Sequence, residues 1–131
     1  MMIDKELYKT GERIRREVMG DARVDASMAN LDDFNRDFME QFITELGWGS
    51  VWGRDGLTRK QRSLLNLGML AALGRMHEFE GHVRGAINNG LTREEVREAL
   101  LQVTMYCGAP AGMEAFRSAT KVLKEMDDEA G

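Results

Sequence analysis

The strongest constraint on the fold of this chain is that its apolar residues recur at helical spacing and almost nowhere alternate as they do in a β-strand. Phe34, Phe38, Phe42 and Leu46 follow one another at intervals of four residues, which is the spacing of one face of a helix. The 131 residues include a single proline, and runs of Val, Ile and Thr are nearly absent. Both features favour helix over sheet. We therefore predict an all-α fold of about six helices.

Capping signals mark where those helices begin and end. Two segments have the spacing of a capping box, which begins a helix: Thr58 with Gln61, and Thr92 with Glu95. Three positions carry the glycine or Asn-Gly signal that ends a helix: Gly20, Gly74 and Asn89-Gly90. The predicted helices cover 4–19, 32–46, 58–73, 76–88, 92–106 and 110–126. Between and after them we expect a connection at 21–30 with room for a short turn of helix, a glycine-rich loop at 47–57 and a frayed tail at 127–131. The phenylalanine stripe is expected in the core. The third helix, apolar almost all round, is expected to be central and buried.

The size and charge of the chain limit its function classes. Its length suits a single domain over 1–131, because two domains would leave neither half a proper core. The net charge of −4 gives no positive footprint for nucleic acid. No apolar stretch is long enough for a bilayer span or a signal peptide. With one cysteine, Cys107, an intrachain disulfide is excluded. We expect a cytoplasmic protein with neither a membrane nor a nucleic-acid partner.

Three common kinds of site receive no support from the sequence. His77 and His82 lie five positions apart, so they do not share a helical face, and neither the HExxH pattern nor paired Glu-x-x-His motifs occur. A serine hydrolase elbow, GxSxG, is absent. The segment 47–57 lacks GxGxxG and follows a helix instead of a strand. We expect no metal and no cofactor.

Arg75, Glu78 and His82 are candidate functional residues, because their spacing of three and then four puts them on one helical face. Each has a structural alternative. His82 is either a half-buried histidine bonded to a backbone carbonyl or a group that exchanges protons near neutral pH. Arg75 and Glu78 are either an ordinary solvated pair or part of a site.

Arg62, Trp48, Trp52 and Tyr106 also have two interpretations each. Arg62 lies on an apolar helix and needs an anionic partner, which is either a structural glutamate or a bound carboxylate. The two tryptophans either pin the glycine-rich loop onto the core or wall a small-molecule pocket. Tyr106, at a helix end, is either an amphipathic core residue or a hydroxyl that reaches a pocket.

Long segments of the chain resemble the carboxymuconolactone decarboxylase family in order and spacing. RSLLNLGMLAALGR at 62–75 and HVRGAINNGLTREEVREALLQVTMYCGAPAGMEAF at 82–116 carry the resemblance, and YKTGERIRREVMGDARVD at 8–25 and FITELGWGSVWGRDGLTRKQRS at 42–63 extend it. The resemblance runs from about residue 8 to residue 126. It implies an alkylhydroperoxidase D-like helical bundle that assembles as a trimer or hexamer.

The wider superfamily includes peroxidases whose redox centre is CxxC followed by a histidine. Counted back from His82, the two thiol positions are Arg75 and Glu78 here, so no disulfide can form. Two rivals to decarboxylation stay open at this point. One is a thiol-dependent antioxidant enzyme that relies on Cys107, and the other is a non-catalytic helical oligomer that binds a small carboxylate.

The resemblance implies the cofactor-independent decarboxylation of 4-carboxymuconolactone (γ-carboxymuconolactone) to β-ketoadipate enol-lactone, in the breakdown of aromatic compounds. Such a site must bind a dianion, stabilise an enolate and deliver a proton. Our hypothesis assigns these tasks to seven residues: His82 as proton donor or as hydrogen-bond donor to the enolate oxygen, Glu78 as its orienting or relaying partner, Arg62 and Arg75 as carboxylate ligands, Trp48 and Trp52 as a dry wall, and Tyr106 as a hydrogen-bond donor to the lactone.

Overall fold

The computed structural model describes residues 3–131; Met1 and Met2 lie outside that range. Within it the chain forms helices and no strand, so the all-α prediction is confirmed. The elements are α1 (Lys5–Met19), α2 (Asp21–Met28), a π-helix (Phe38–Val51), α3 (Arg59–Leu73), α4 (Met76–Asn88), α5 (Arg93–Cys107) and α6 (Ala109–Ala130). The predicted bounds of the first, third, fourth and fifth helices are correct to within one residue. The connection at 21–30 contains α2.

The predicted helix signals around α4 and α5 are confirmed. The backbone N–H of Glu95 donates to Thr92 Oγ1 at 3.0 Å, and the backbone N–H of Thr92 donates to Glu95 Oε1 at 2.9 Å. This reciprocal capping box satisfies donors that the helix start leaves open. After α4, Gly90 has a φ of 95°, a backbone conformation that residues with a Cβ atom rarely adopt.

The helix from Phe38 to Val51 differs from the prediction in both type and position. Its turns are wider than those of an α-helix, with bonds to the residue five positions back, and Trp52 N–H donates to Gly47 O in the same manner at 3.1 Å. It runs through the predicted glycine-rich loop as far as Val51, so that prediction is wrong for residues 47–51. A four-residue interval therefore no longer describes one face of this element.

The expectation that the phenylalanine stripe is core is also wrong. The exposed fractions of its side chains are 96% for Phe34, 55% for Phe38, 51% for Phe42 and 44% for Leu46. Phe34 precedes the helix altogether. The residues that the π-helix buries instead are Gln41, Thr44, Trp48 and Gly49.

The chain forms two compact units, the first ending at Thr58 and the second running from Arg59 to Gly131. In the first, α1 packs along the π-helix, with Ile14, Val18 and Trp48 as the buried apolar cluster. Gly11 allows this approach, because a Cβ built there would lie 2.0 Å from the carbonyl oxygen of Thr44. Folding of 1–131 as a single domain stays a prediction.

The second unit places α3, α4, α5 and α6 around one apolar cluster, with α4 in contact with the other three. The prediction that α3 is a central, buried helix is wrong for part of its surface, because this cluster takes in only one of its faces. Ser63, Leu67 and Ala71 are buried, whereas four large apolar residues of α3 are exposed: Leu64, Leu65, Met69 and Leu73.

The predicted frayed tail is helical instead. Helix α6 continues to Ala130, and its last carboxylates make ion pairs with the neighbouring helices. Arg84 of α4 pairs with Glu129 at 2.6 Å, and Arg93 of α5 pairs with Asp127. These contacts between distant residues extend α6 beyond the point where its apolar pattern stops.

Candidate functional site

His82 lies on α4, half-buried, where that helix packs against α3. Its ring nitrogen Nδ1 is 3.4 Å from the side-chain nitrogen Nδ2 of Asn66 on α3. Asn66 is not among the site residues predicted from the sequence. The signal that could have identified it is a polar residue on an otherwise apolar helix, next to the predicted buried residue Leu67.

A second polar contact joins the same two helices. Asn89, at the end of α4, donates through Nδ2 to Ser63 Oγ of α3 at 2.9 Å. Ser63 lies three residues before Asn66, and Asn89 lies seven residues after His82, so α3 and α4 run antiparallel. Two side-chain contacts, about two helical turns apart along α4, therefore fix the register of the pair.

Arg62 lies one turn before Asn66 on α3, and four-residue spacing places the two on the same side of the helix. The Arg62 side chain is half-buried, and its Nε atom is fully buried. A half-buried guanidinium on the face that meets His82 is a suitable ligand for a carboxylate. The structure thus brings Asn66 to His82 and places Arg62 on the adjacent turn.

Three other predicted site residues of the second unit are exposed. Glu78 lies one turn before His82 on α4, as its spacing predicts, and Arg75 is the residue that precedes the helix. Tyr106 lies near the end of α5 and is 83% exposed. The alternative that Tyr106 is an amphipathic core residue is therefore wrong. All three side chains are accessible to a small molecule from solvent.

Trp48 and Trp52 belong to the first unit. Their rings stack with centroids 4.7 Å apart and planes inclined by 29°. Trp48 is buried at 7% exposure in the cluster with Ile14 and Val18, and Trp52 packs against that cluster while partly exposed. These contacts support the packing role of the two tryptophans. Their role as a pocket wall stays a prediction.

The first unit also contains a half-buried cation that is not among the predicted site residues. Arg15 of α1 donates through Nη2 to Ser27 Oγ of α2 at 3.0 Å. Burial lowers the pKa of Arg15 and raises the pKa of Tyr8, which Glu12 raises further. The arginine therefore joins α1 to α2 by a hydrogen bond between neighbouring helices, and no further role follows from it.

Residues 3–131 contain no cluster of three or more His, Cys, Asp and Glu side chains suited to a metal ion. None of the helices in this range combines the length and apolar character that crossing a bilayer requires.

The fold and the α3–α4 contact define a small all-helical protein with a histidine and an arginine on facing helices. The family model for the carboxymuconolactone decarboxylase family matches residues 38–121. This chain belongs to that family, as its sequence motifs predicted. The match includes every candidate residue named above.

Two relatives with similar identity to this chain are named for different substrates. The chain is 43% identical to a 4-carboxymuconolactone decarboxylase from Acinetobacter baylyi, over 95% of this chain and 92% of that protein. It is 42% identical to a nitrosuccinic acid decarboxylase from Metarhizium robertsii, over 96% of this chain and 87% of that protein. It is also 32% identical to an uncharacterized 15.0 kDa protein from Paracoccus denitrificans, over 76% of this chain and 81% of that protein. Both named activities are decarboxylations.

Proposed function

We propose that this protein decarboxylates 4-carboxymuconolactone to β-ketoadipate enol-lactone and carbon dioxide, without a cofactor. The observation that carries the proposal is the 43% identity, over nearly the full length of both chains, to a relative with that activity in its name. Three of the four segments that predicted the family lie within residues 38–121, which the family model matches, and the second named relative is also a decarboxylase.

The chemistry of the substrate explains how a protein can catalyse this step with side chains alone. The carbon–carbon bond to the leaving carboxylate breaks, and its electron pair moves through the ring double bond to the lactone carbonyl. The substrate is thus its own electron acceptor, and a proton delivered to the carbon next to the carbonyl completes the reaction. The protein has to hold two negative charges, stabilise the enolate and supply that proton.

His82 is proposed either as the proton donor or as the hydrogen-bond donor to the enolate oxygen, because an imidazole exchanges protons near neutral pH and this one is half-buried against α3. Glu78, one turn away, is the proposed orienting or relaying carboxylate. Arg62 is the proposed ligand of the carboxylate that the product retains, because its guanidinium lies on the turn next to Asn66. Arg75 is proposed for the second carboxylate.

The remaining assignments follow from the family resemblance and not from contacts. Trp48 and Trp52 are proposed as dry wall residues, where removal of water favours loss of a carboxylate as neutral carbon dioxide. Tyr106 is proposed as a hydrogen-bond donor to the lactone. Individual alanine variants test these three roles, and unchanged values of both kcat and KM would remove a residue from the proposal.

The direct experiment is incubation of the protein with 4-carboxymuconolactone while carbon dioxide release and loss of ring absorbance are followed. His82→Ala is expected to reduce turnover by about two orders of magnitude or more. His77→Ala, which changes the exposed histidine of the same helix, is the matched control and should keep wild-type turnover. Near-normal turnover of His82→Ala would remove this residue from the mechanism.

Arg62→Lys tests the carboxylate ligand separately from the proton donor. Lysine keeps the positive charge but loses the planar pair of donors that binds a carboxylate through two parallel hydrogen bonds. We expect a rise in KM for the lactone of about tenfold, which corresponds to one such bond. An unchanged KM would show that Arg62 has a structural partner instead.

Nitrosuccinic acid is a second candidate substrate, favoured by the 42% identity to the fungal enzyme. It too carries two carboxyl groups, and its nitro group can accept the electron pair that decarboxylation releases. The demands on the protein are therefore the same: cationic side chains for a dianion and a proton for the resulting carbanion. Comparison of kcat/KM for the two acids decides between them, and a higher value for nitrosuccinic acid would replace the first proposal.

The protein is also proposed to form a homo-oligomer, a trimer or hexamer, in the cytoplasm. Exposed apolar side chains support self-association, because a monomer rarely leaves so many in contact with water. They include Phe38 and Phe42 in the first unit and Leu65, Leu73 and Met105 in the second. Light scattering coupled to size exclusion tests the assembly, and a monomeric mass at micromolar concentration would overturn it. Cell fractionation tests the location.

A further inference from the structure

Asn66 is a polar side chain that the fold places against the ring of His82. The atom that approaches Nδ1 is the amide nitrogen Nδ2, at 3.4 Å. An amide nitrogen carries two hydrogens and accepts none, so in this contact Asn66 donates and Nδ1 of His82 accepts. A neutral imidazole has only one N–H group. When Nδ1 accepts, the ring hydrogen is therefore on Nε2.

We propose that Asn66 is a positioning residue that holds His82 in the tautomer with hydrogen on Nε2. For the decarboxylation proposed above, the Nε2–H group of the neutral ring then donates a hydrogen bond to the developing enolate oxygen of the substrate. The kinetic part of this inference rests on the proposed function. The tautomer does not, because it follows from the contact between two side chains of the resting protein.

The backbone around Asn66 is well suited to hold a side chain in one place. Its neighbour Leu67 is fully buried in the core of the second unit. The contact from Asn89 to Ser63 fixes the register of α3 and α4 near the other end of α4. With both helices held, the amide of Asn66 meets the ring of His82 at a set position along α4.

Nitrogen-15 NMR of the histidine ring tests the tautomer directly. The chain has two histidines, so a His77→Gln background leaves His82 as the sole ring to be observed. At neutral pH we expect the hydrogen on Nε2. Asn66→Asp should move it to Nδ1, because a carboxylate only accepts hydrogen bonds. A hydrogen found mainly on Nδ1 in the parent protein, or a ratio of tautomers that Asn66→Asp leaves unchanged, would overturn the proposal.

Turnover measurements separate positioning from a merely structural role. Asn66→Ala is expected to lower kcat about tenfold or more while the KM for 4-carboxymuconolactone stays near the wild-type value, because ligand binding is assigned to the arginines. Ser63→Ala is the matched control, since it removes the hydrogen bond between Asn89 and Ser63, another polar contact between α3 and α4, and should keep kcat. Equal losses of kcat in both variants, or none in Asn66→Ala, would overturn the positioning role. A wild-type protein without decarboxylase activity would refute the proposed function, and the NMR result would then decide the tautomer alone.

Discussion

Replacement of Gly11 by alanine should destabilise the first unit, because at this position two backbones are in contact. The added Cβ would lie 2.0 Å from Thr44 O, 2.8 Å from Gly49 N and 2.9 Å from Thr44 C. All three neighbours are backbone atoms, so no side chain can rotate away. Thr44 and Gly49 are five residues apart, which is the spacing that brings residues to one side of the π-helix. To restore normal contact, α1 and the π-helix must separate by about 1 Å.

The magnitude follows from two opposing effects. Overpacking a close contact costs about 3 kcal/mol, at the upper end of the usual range, because the separation also loosens Ile14, Val18 and Trp48. Alanine is a better helix former than glycine by about 1 kcal/mol, which offsets part of that cost. We expect a net loss of about 2 kcal/mol in the free energy of unfolding.

Urea denaturation followed by tryptophan fluorescence measures this loss, because both tryptophans lie in the first unit. Gly56→Ala is the control in the same unit, since a Cβ there meets nothing within 4 Å. A Gly11→Ala midpoint equal to that of wild type would refute the close contact. Far-UV circular dichroism recorded on the same samples tests the single-domain prediction, because coincident transitions require that both units unfold together.

Three further predictions concern the second unit. Leu67→Ala should cost about 2–5 kcal/mol in urea denaturation, because it empties a fully buried position of the core; a loss below about 1 kcal/mol would contradict that burial. Thr92→Ala should cost about 1 kcal/mol through loss of the capping box, and an unchanged stability would contradict its hydrogen bonds. The hydrogen bond from the backbone of Thr92 holds the pKa of Glu95 below its ordinary value of 4.5. The stability advantage of wild type over Glu95→Gln should therefore be present above pH 4.5 and disappear as the pH falls through the lowered pKa of Glu95 in the folded protein. An advantage that persists in acid would exclude this linkage.

The helices that the sequence predicted correctly are those with a local signal at one end or at both. Helix α4 ends at Gly90 and α5 begins at the Thr92 box, and such signals act within a few residues of the chain. The errors concern burial and helix type, which local signals do not determine. The four-residue spacing of Phe34, Phe38 and Phe42 indicates a shared face only if the helix is an α-helix and something covers that face.

The candidate site was predicted only in part, because local signals show which residues share a helix face but not which residues of another helix meet them. His82 and Glu78 lie one turn apart on one helix, and a spacing along the chain is enough to show that. Asn66 is sixteen residues from His82, and no periodicity within one helix indicates which side chain on a neighbouring helix will meet its ring. The motifs alone predicted the family, and the family-model match and the 43% identity to the Acinetobacter baylyi enzyme confirm it.

The sequence by itself determined the helical class, most helix ends and the family, because propensity, capping and motif spacing are properties of short segments. The tertiary structure alone decided which faces are covered, how the tail of α6 is held and which amide meets the histidine ring. Those outcomes depend on packing between segments distant in the chain, such as Arg93 with Asp127 and Asn66 with His82. A contact of this kind exists only once the helices have fixed their register.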